Sequence, residues 1–232
     1  MNGGSARSQW CRQPVQLVIF DCDGVLVDSE AIASRVLAEL LTESGFPLHA
    51  EQAIDRFTGI SLPEVVAQVE AEWGRALPAD FVVRLRERDR AAFRLQLRAI
   101  AGVAEALQAL AYPRCVASSG SPEKIRENLA LTGLLEYLAP HLFSAAMVAK
   151  GKPAPDLFLY AAATMGALPA RCVVIEDSVA GIRAAHAAGM QVFGFCGGGH
   201  CRPGDGETLL AAGAARLFSR MADLPALLAS TG

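Results

Sequence analysis

The sequence predicts an α/β fold in which a doubly wound parallel sheet carries an inserted helical domain. Short apolar runs of strand length alternate with helical segments, which is typical of a parallel sheet covered by helices on both faces. One long stretch departs from this alternation, because residues 30 to about 97 are helical throughout and contain no strand pattern. An insertion after the first strand accounts for that stretch.

The predicted elements follow in chain order. Strands are predicted at 15–20, 114–118, 172–176 and 191–195, and the insert holds helices at 31–44, 50–57, 62–73 and 78–97. The later helices are predicted at 103–110, from Pro122 behind the N-cap Ser121, at 155–165, and at 179–188 before Gly189, whereas 196–206 is a glycine-rich loop. The predicted sheet domain therefore comprises 15–29 and 98–232, the insert 30–97, and a flexible N-terminus 1–14.

Composition excludes several classes of protein. The chain has 232 residues, of which 52% are hydrophobic, and this is too apolar for a disordered protein. Its net charge of −3 argues against a nucleic-acid partner. No apolar run reaches the roughly 18 residues of a membrane span, and no secretory leader is visible. Because Cys22, Cys115 and Cys172 lie in or beside strand-like runs, we expect buried free thiols and a cytoplasmic protein.

The first predicted strand ends in two aspartates, Asp21 and Asp23. Ligands of a doubly wound sheet bind beyond the carboxyl ends of the strands, where these side chains would lie. Two neighbouring acids at the end of an apolar strand are unfavourable unless a cation or a proton balances them. Taken alone, the pair could also be solvated loop residues that precede a helix.

A second acidic pair, Glu176 and Asp177, follows the third predicted strand. Carboxylates at the ends of neighbouring parallel strands would converge at one edge of the sheet and offer the hard oxygen donors that suit Mg²⁺. The simpler alternative is that Asp177 or Ser178 only caps the following helix.

Two further features at strand ends suit a phosphate group. Ser118, Ser119 and Gly120 lie between a strand and a helix N-terminus, where hydroxyl and backbone N–H groups bind anions, although a simple serine turn has the same pattern. Lys152 precedes Pro153 and could neutralise phosphate charge, although a single lysine is more often a solvated surface residue. Together with the acids, these residues indicate phosphoryl transfer to an acidic nucleophile.

Four segments in this order resemble the four motifs of the haloacid dehalogenase superfamily, in the subgroup with a helical cap after the first strand. They are DCDGVLVDSE from residue 21, VASS from 116, KGKPAPD from 150 and VIEDSVAGIRAAHAAGM from 174. The resemblance covers residues 15 to about 228 and implies a Rossmann-like core with the insert as its cap. It also implies a phosphatase that acts on a small phosphorylated metabolite, as a monomer or homodimer with no nucleic-acid or membrane partner.

The resemblance implies roles for the acids. Asp21 would be the nucleophile that forms an aspartyl-phosphate, and Asp23 would protonate the leaving oxygen and then deprotonate the attacking water. Asp21, the backbone carbonyl of Asp23, and Asp177 would bind Mg²⁺, with Mn²⁺ as a substitute. Glu176 would either bind the metal or lie directly behind its ligands.

The resemblance also implies how phosphate is held. Ser118 and Lys152 would bind the phosphoryl oxygens, and the backbone of Cys22 and of Ser119 could donate further hydrogen bonds. Gly59, in the stretch FTGIS, resembles the loop of the cap that faces the active site. Closure of such a cap would expel water from the site.

Differences between subfamilies narrow the expected activity. Dehalogenases of this superfamily lack the second aspartate, which is present here as Asp23. β-Phosphoglucomutases carry a histidine and an arginine where this chain has Ala33 and Leu62, which favours hydrolysis. The stretches RFTGISLPEVV and AGMQVFGFC, the latter followed by His200, resemble bacterial 6-phosphogluconate phosphatases, so we expect a sugar or sugar-acid phosphate as substrate. A phosphomutase, a phosphoglycolate-type phosphatase and a non-catalytic binding module are the alternatives.

Some candidate residues receive no role from the sequence. The arginines of the stretch 84–98 are interpreted as a solvated, acid-interleaved face rather than a substrate contact; they are Arg84, Arg86, Arg88, Arg90, Arg94 and Arg98. Cys196, His200 and Cys201 do not have the spacing of a standard zinc site. Neither Lys124 nor Lys150 has an assigned function.

Overall fold

A computed structural model of the protein describes residues 14–58 and 60–231. The described residues form one parallel sheet with the strands β1 (Leu17–Phe20), β2 (Arg114–Ser118), β3 (Leu142–Ser144), β4 (Cys172–Glu176), β5 (Gln191–Phe195) and β6 (Arg216–Phe218). The strand order is β3-β2-β1-β4-β5-β6, so the strand order reverses at β1, which lies between β2 and β4. This order confirms the predicted doubly wound sheet.

The helices lie between these strands in the chain. They are α1 (Glu30–Glu43), α2 (Ala50–Phe57), α3 (Leu62–Trp73), α4 (Phe81–Gln96), α5 (Val103–Ala109), α6 (Pro122–Leu131), α7 (Leu135–Leu138), α8 (Asp156–Thr164), α9 (Val179–Ala187), α10 (Asp205–Ala212) and α11 (Leu224–Ala229). Local sequence explains several of their starts. Ser61 and Glu64 form a capping box before α3, and the Ser121 hydroxyl accepts the first-turn N–H of Lys124 in α6, behind Pro122.

Both faces of the sheet are covered by apolar residues. Val18 and Phe20 of β1 point into one buried cluster, whereas Leu17 and Ile19 point into another on the opposite face. This alternation follows from the two-residue period of a strand, and burial on both sides explains why the strands read as continuous apolar runs. The carboxyl end of β1 is therefore the place where polar residues first emerge from the core.

Helices α1 to α4 form the helical segment between β1 and β2, and they pack around an apolar cluster of their own. Its most buried members include Leu40 and Leu41 of α1, Val69 of α3 and Phe81 of α4. The heavy helical patterning of residues 30–97 in the sequence thus reflects a separate apolar cluster rather than strands that the pattern failed to reveal.

The structure corrects several predicted bounds. β1 begins at Leu17 rather than at residue 15, and α4 spans Phe81–Gln96 rather than 78–97. β3 and β6 were not predicted, because these edge strands of three residues are too short to show a strand pattern. The short helices α7, α10 and α11 were not predicted either, and α10 begins at Asp205, inside the segment predicted as a loop. The predicted flexible N-terminus lies outside the described residues, except for residue 14.

The predictions of buried thiols and of no membrane span both concern residues that the structure describes. Cys22, Cys115 and Cys172 are buried free thiols, as predicted. No helix in residues 14–58 or 60–231 is long and apolar enough to cross a membrane.

Candidate active site

The carboxyl ends of β1, β2 and β4 meet at one edge of the sheet because these strands are parallel neighbours. Asp21 and Asp23 follow β1, Ser118 is the last residue of β2, and Glu176 is the last residue of β4. Lys152 reaches the same edge from the loop before α8. The fold thus brings together residues that are up to 155 positions apart in the sequence.

Lys152 lies at the centre of this cluster. Its ammonium donates to Asp21 Oδ1 and to Glu176 Oε1, each at 2.6 Å, and its side chain is 4% exposed. Burial disfavours the charged ammonium, but the two carboxylates outweigh this effect and raise the pKa of Lys152 above its usual value. Lys152 is therefore charged at neutral pH and compensates two buried acids at once.

Glu176 is held by hydrogen bonds on both carboxylate oxygens. Oε1 accepts from Lys152, whereas Oε2 accepts from the backbone N–H groups of Asp177 and Ser178 at 3.0 and 2.9 Å and from the Ser178 hydroxyl at 2.9 Å. Gly181 makes room for this arrangement, since a Cβ there would lie 1.8 Å from Oε1. Glu176 thereby orients Lys152 and shapes the turn that carries Asp177.

Asp23 follows Asp21 by two residues, and its carboxylate has Lys124 as an unexpected partner. Its Oδ1 accepts from the Ser29 hydroxyl at 2.6 Å, and its Oδ2 accepts from the Lys124 ammonium at 2.9 Å. Burial alone would raise the pKa of Asp23, but these partners outweigh burial and lower it. Lys124 had no role assigned from the sequence, and the structure shows that the first turn of α6 directs its side chain toward the end of β1.

Three of the predicted phosphate-binding residues lie at strand ends: Ser118 and Ser119 at the end of β2, and Cys22 just after β1. Ser118 is buried, and its hydroxyl accepts the Gly120 N–H at 3.0 Å. Ser119 is exposed at the N-terminal side of α6. The Cys22 side chain belongs to the apolar core, so any contact of this residue with phosphate would come from its backbone.

Asp177 is paired with His200, a residue that had no role assigned from the sequence. His200 Nε2 lies 3.1 Å from Asp177 Oδ2, and both side chains are buried. Burial opposes charge on His200, but its hydrogen bonds to Asp177 and Cys201 raise its pKa to about 11. Gly24 approaches this pair so closely that a Cβ would lie 1.8 Å from Asp177 Oδ2. The position of His200 after β5, the neighbour of β4, is the one sequence signal that could have placed it here.

The balance of charge at this edge tests whether a divalent cation fits. Burial raises the pKa of Asp21 well above its usual value; Lys152 lowers it, and Glu176 and Asp177 raise it further. Burial also raises the pKa of Asp177 against the hydrogen bond from His200. Four carboxylates, those of Asp21, Asp23, Glu176 and Asp177, have three cationic partners, Lys152, Lys124 and His200. Such an excess of buried acid suits Mg²⁺.

The geometry limits which atoms could bind that cation. Within the described parts of the chain, no three His, Cys, Asp or Glu side chains are arranged to hold a metal ion. Two carboxylates, those of Asp21 and Asp177, would therefore need the backbone carbonyl of Asp23 and water to complete the six oxygen ligands of Mg²⁺. The donor chemistry fits the predicted metal.

Arginines of α4 form exposed ion pairs. Arg88 donates two hydrogen bonds to Glu43 of the same helical segment, at 2.7 and 2.6 Å. Arg90 Nε lies 2.9 Å from Glu127 of α6, so this pair joins the helical segment to the sheet domain. Such pairing agrees with the interpretation of the arginines as a solvated face. Gly59, predicted to face the site, lies outside the described residues.

A cavity of about 510 Å³ opens between the helical segment and the sheet domain beside Asp177. Ile54 and Thr58 line it from the segment. At its edge, Asp55 of α2 pairs with Arg202 of the loop after β5 at 2.7 Å. Its volume falls within the range of small-molecule sites.

Paired carboxylates, a buried lysine and a serine turn at the switch point of a doubly wound sheet define a phosphoryl-transfer enzyme. A family model of haloacid dehalogenase-like hydrolases matches residues 15–189. The chain therefore belongs to the haloacid dehalogenase-like hydrolases, and within them it is an enzyme of the phosphatase class. This confirms the resemblance on which the site was predicted.

Individual relatives support the same class. The chain is 36% identical over 190 residues to the 6-phosphogluconate phosphatase of Escherichia coli, covering 82% of this chain and 86% of that protein. It is 30% identical over 211 residues to a phosphorylated carbohydrates phosphatase of Thermotoga maritima, covering 88% and 94%. A crystal structure of a haloacid dehalogenase-like protein of unknown function from Agrobacterium tumefaciens is 44% identical, with a TM-score of 0.85 and coverage of 93% and 98%.

Proposed function

We propose that the protein is a Mg²⁺-dependent phosphatase that hydrolyses a sugar or sugar-acid phosphate, such as 6-phosphogluconate, through an aspartyl-phosphate on Asp21. The observation that carries this proposal is the bridge from the Lys152 ammonium to Asp21 and Glu176, with Asp23 two residues beyond Asp21. The substrate class is supported by the named activities of the relatives from E. coli and T. maritima.

The proposed reaction has two steps. An oxygen of the Asp21 carboxylate attacks phosphorus, the bond from phosphorus to the ester oxygen breaks, and Asp23 gives its proton to that oxygen. A water molecule then attacks the phosphorus of the aspartyl-phosphate and gives a proton to Asp23, and the bond from phosphorus to the Asp21 oxygen breaks, which releases phosphate and restores Asp21. Ser118 and Lys152 hold the phosphoryl oxygens during both steps.

Asp23 must gain a proton before the first step. In the free enzyme, Lys124 and Ser29 lower its pKa and keep it ionised. A bound phosphate dianion would add negative charge beside Asp23 and raise its pKa, so substrate binding itself favours the protonated acid. We expect this coupling to limit protonation of Asp23 in the absence of substrate.

The metal would be held by Asp21, Asp177 and the backbone carbonyl of Asp23. When bound, Mg²⁺ neutralises the phosphate charge that would otherwise repel the attacking carboxylate. His200 would keep Asp177 in place from behind, as hydrogen-bond partners of metal ligands commonly do.

We further propose that residues 30–97 are a cap over a core of 15–29 and 98–232. The cavity beside Asp177 and the ion pairs Asp55–Arg202 and Arg90–Glu127 at the boundary support this division. Exposed ion pairs contribute little to stability, so they are compatible with a cap that opens and closes.

The test measures phosphate release from a panel of sugar phosphates, sugar-acid phosphates and phosphoglycolate. Activity should require Mg²⁺ or Mn²⁺, disappear in EDTA, return on metal addition, and be lost in Asp21→Asn. The matched control is Asp80→Asn, at an exposed acid before α4, which should leave activity unchanged.

Two outcomes would contradict the proposal. Full activity in Asp21→Asn would exclude Asp21 as the nucleophile. Conversion of β-glucose 1-phosphate to glucose 6-phosphate without phosphate release would indicate a phosphomutase instead.

A further inference from the structure

The leaving-group side of the proposed site is covered by helix α4 of the cap. The Lys124 ammonium lies 5.6 Å from the centre of the Phe93 ring, and Arg90 of α4 pairs with Glu127 of α6. Lys124 also donates to Asp23, the carboxylate proposed to protonate the leaving oxygen. This face of α4 therefore borders the position of the leaving group.

Asp89 lies one helical turn before Phe93, on the same face of α4. Its Oδ1 atom is buried and has no hydrogen-bond partner in the described part of the protein. Burial raises the pKa of Asp89 to about 6; Lys124 lowers it and Asp23 raises it, so the carboxyl lies within electrostatic reach of both. Buried polar atoms in native proteins nearly always have a partner, so an unpaired one beside catalytic groups points to a ligand atom.

Lys124 supplies hydrogen-bond donors at the same place. An ammonium carries three N–H groups, and among the described residues one hydrogen bond from Lys124 Nζ is found, to Asp23. The side chain is 40% exposed, so it is not enclosed by the protein. Asp89 and Lys124 together thus present an unpaired acceptor and free donors.

We propose that Asp89 and Lys124 select the substrate by binding a hydroxyl group of its leaving group. Asp89 Oδ1 is closed to solvent in this structure, so a substrate hydroxyl reaches it when the proposed cap opens. Because a hydroxyl both donates and accepts, it can then donate to Asp89 Oδ1 while it accepts from Lys124. A leaving group without hydroxyls would leave Asp89 unpaired, and sites built around such a bond discriminate strongly against analogues that lack it. The enzyme therefore prefers phosphates of sugars or polyols to hydroxyl-free esters. This inference rests on the proposed phosphatase function.

The experiment compares kcat/KM for glucose 6-phosphate and for phenyl phosphate, whose leaving group carries no hydroxyl besides the ester oxygen. In Asp89→Leu we expect kcat/KM for glucose 6-phosphate to fall about tenfold or more, and that for phenyl phosphate to change less than about threefold. Tm should stay constant or rise, because an unpaired buried oxygen is removed. Asp89→Asn, which keeps an acceptor oxygen, should retain most activity, and Glu87→Gln, at an exposed acid of α4, should change neither substrate.

The outcomes separate this inference from the proposed function. In Asp89→Leu, an unchanged ratio of the two kcat/KM values, or a fall in Tm that accompanies the loss of activity, would overturn selection by Asp89. A wild-type enzyme that hydrolyses both esters while Asp89→Leu leaves their ratio unchanged overturns only the selection. If the wild type hydrolyses neither ester, the same comparison uses the sugar or sugar-acid phosphate that the panel identifies, and a wild type that releases phosphate from no member of the panel overturns the proposed function and this inference with it.

Discussion

Replacement of Gly24 by alanine should damage the site from a position that carries no functional group. Gly24 has φ +77°, and a Cβ there would lie 1.8 Å from Asp177 Oδ2 and 2.9 Å from His200 Cε1. Real Cβ atoms essentially never come closer than 3.0 Å, so Asp177 would have to move by about 1 Å. The left-handed backbone itself costs an L-residue about 1–2 kcal/mol.

The displacement has two expected consequences for Gly24→Ala. The displacement should weaken the buried Asp177–His200 hydrogen bond, which lowers the free energy of unfolding by about 1–3 kcal/mol in addition to the loss from the strained backbone. A shift of about 1 Å in a proposed metal ligand should lower kcat/KM by roughly 100-fold.

Gly133→Ala is the matched control. Gly133 has φ +72°, and a Cβ there would meet no atom within 4 Å, so this variant has the backbone strain without the collision. Urea denaturation should show a loss of about 1 kcal/mol for Gly133→Ala and a clearly larger loss for Gly24→Ala, with activity reduced only in the latter. Equal stability and equal activity of the two variants would refute the reasoning from close approach.

Three further variants test other contacts. Lys152→Met should abolish phosphate release and lower the free energy of unfolding by about 3–5 kcal/mol in urea, because Asp21 and Glu176 lose their shared buried cation; a loss below about 1 kcal/mol would contradict this. Burial and neighbouring carboxylates raise the pKa of Glu30 to about 7, so the folded protein in EDTA should lose stability as pH rises from about 5 to 8 and this group loses its proton. In Glu30→Gln, that loss of unfolding free energy should be smaller by about 1–3 kcal/mol. An equal pH dependence of the two proteins in urea unfolding would contradict this. Arg202→Ala, which removes an exposed ion pair between helical segment and loop, should change the free energy of unfolding by less than about 1 kcal/mol, and a larger loss would show that the pair is structural.

The central strands were predictable because each is a buried run bounded by polar residues. β2, β4 and β5 have the predicted bounds, whereas β3 and β6 contain three residues each at the edges of the sheet. Such short segments acquire strand geometry from their hydrogen-bonded neighbours, and their own sequence carries too little periodicity to reveal it. The sheet order likewise depends on which strands pair, a choice made between distant segments.

Local sequence also determined the acids and hydroxyls of the candidate site, since each stands directly at the end of an apolar run. Asp21, Asp23, Ser118 and Glu176 were found for this reason, because residues that follow parallel strands must share one edge. The sequence likewise indicated the family, through four motifs in order.

Only the tertiary structure decided how those groups are paired. The Lys124–Asp23 contact joins residues 101 positions apart, and His200 reaches Asp177 from the loop after another strand. The unpaired oxygen of Asp89 belongs to a helix, α4, that meets α6 through the contacts Phe93–Lys124 and Arg90–Glu127, and these too join distant parts of the chain. Hydrogen bonds and Coulomb interactions act over a few ångströms in space, and the sequence alone carries no record of which distant side chains come that close.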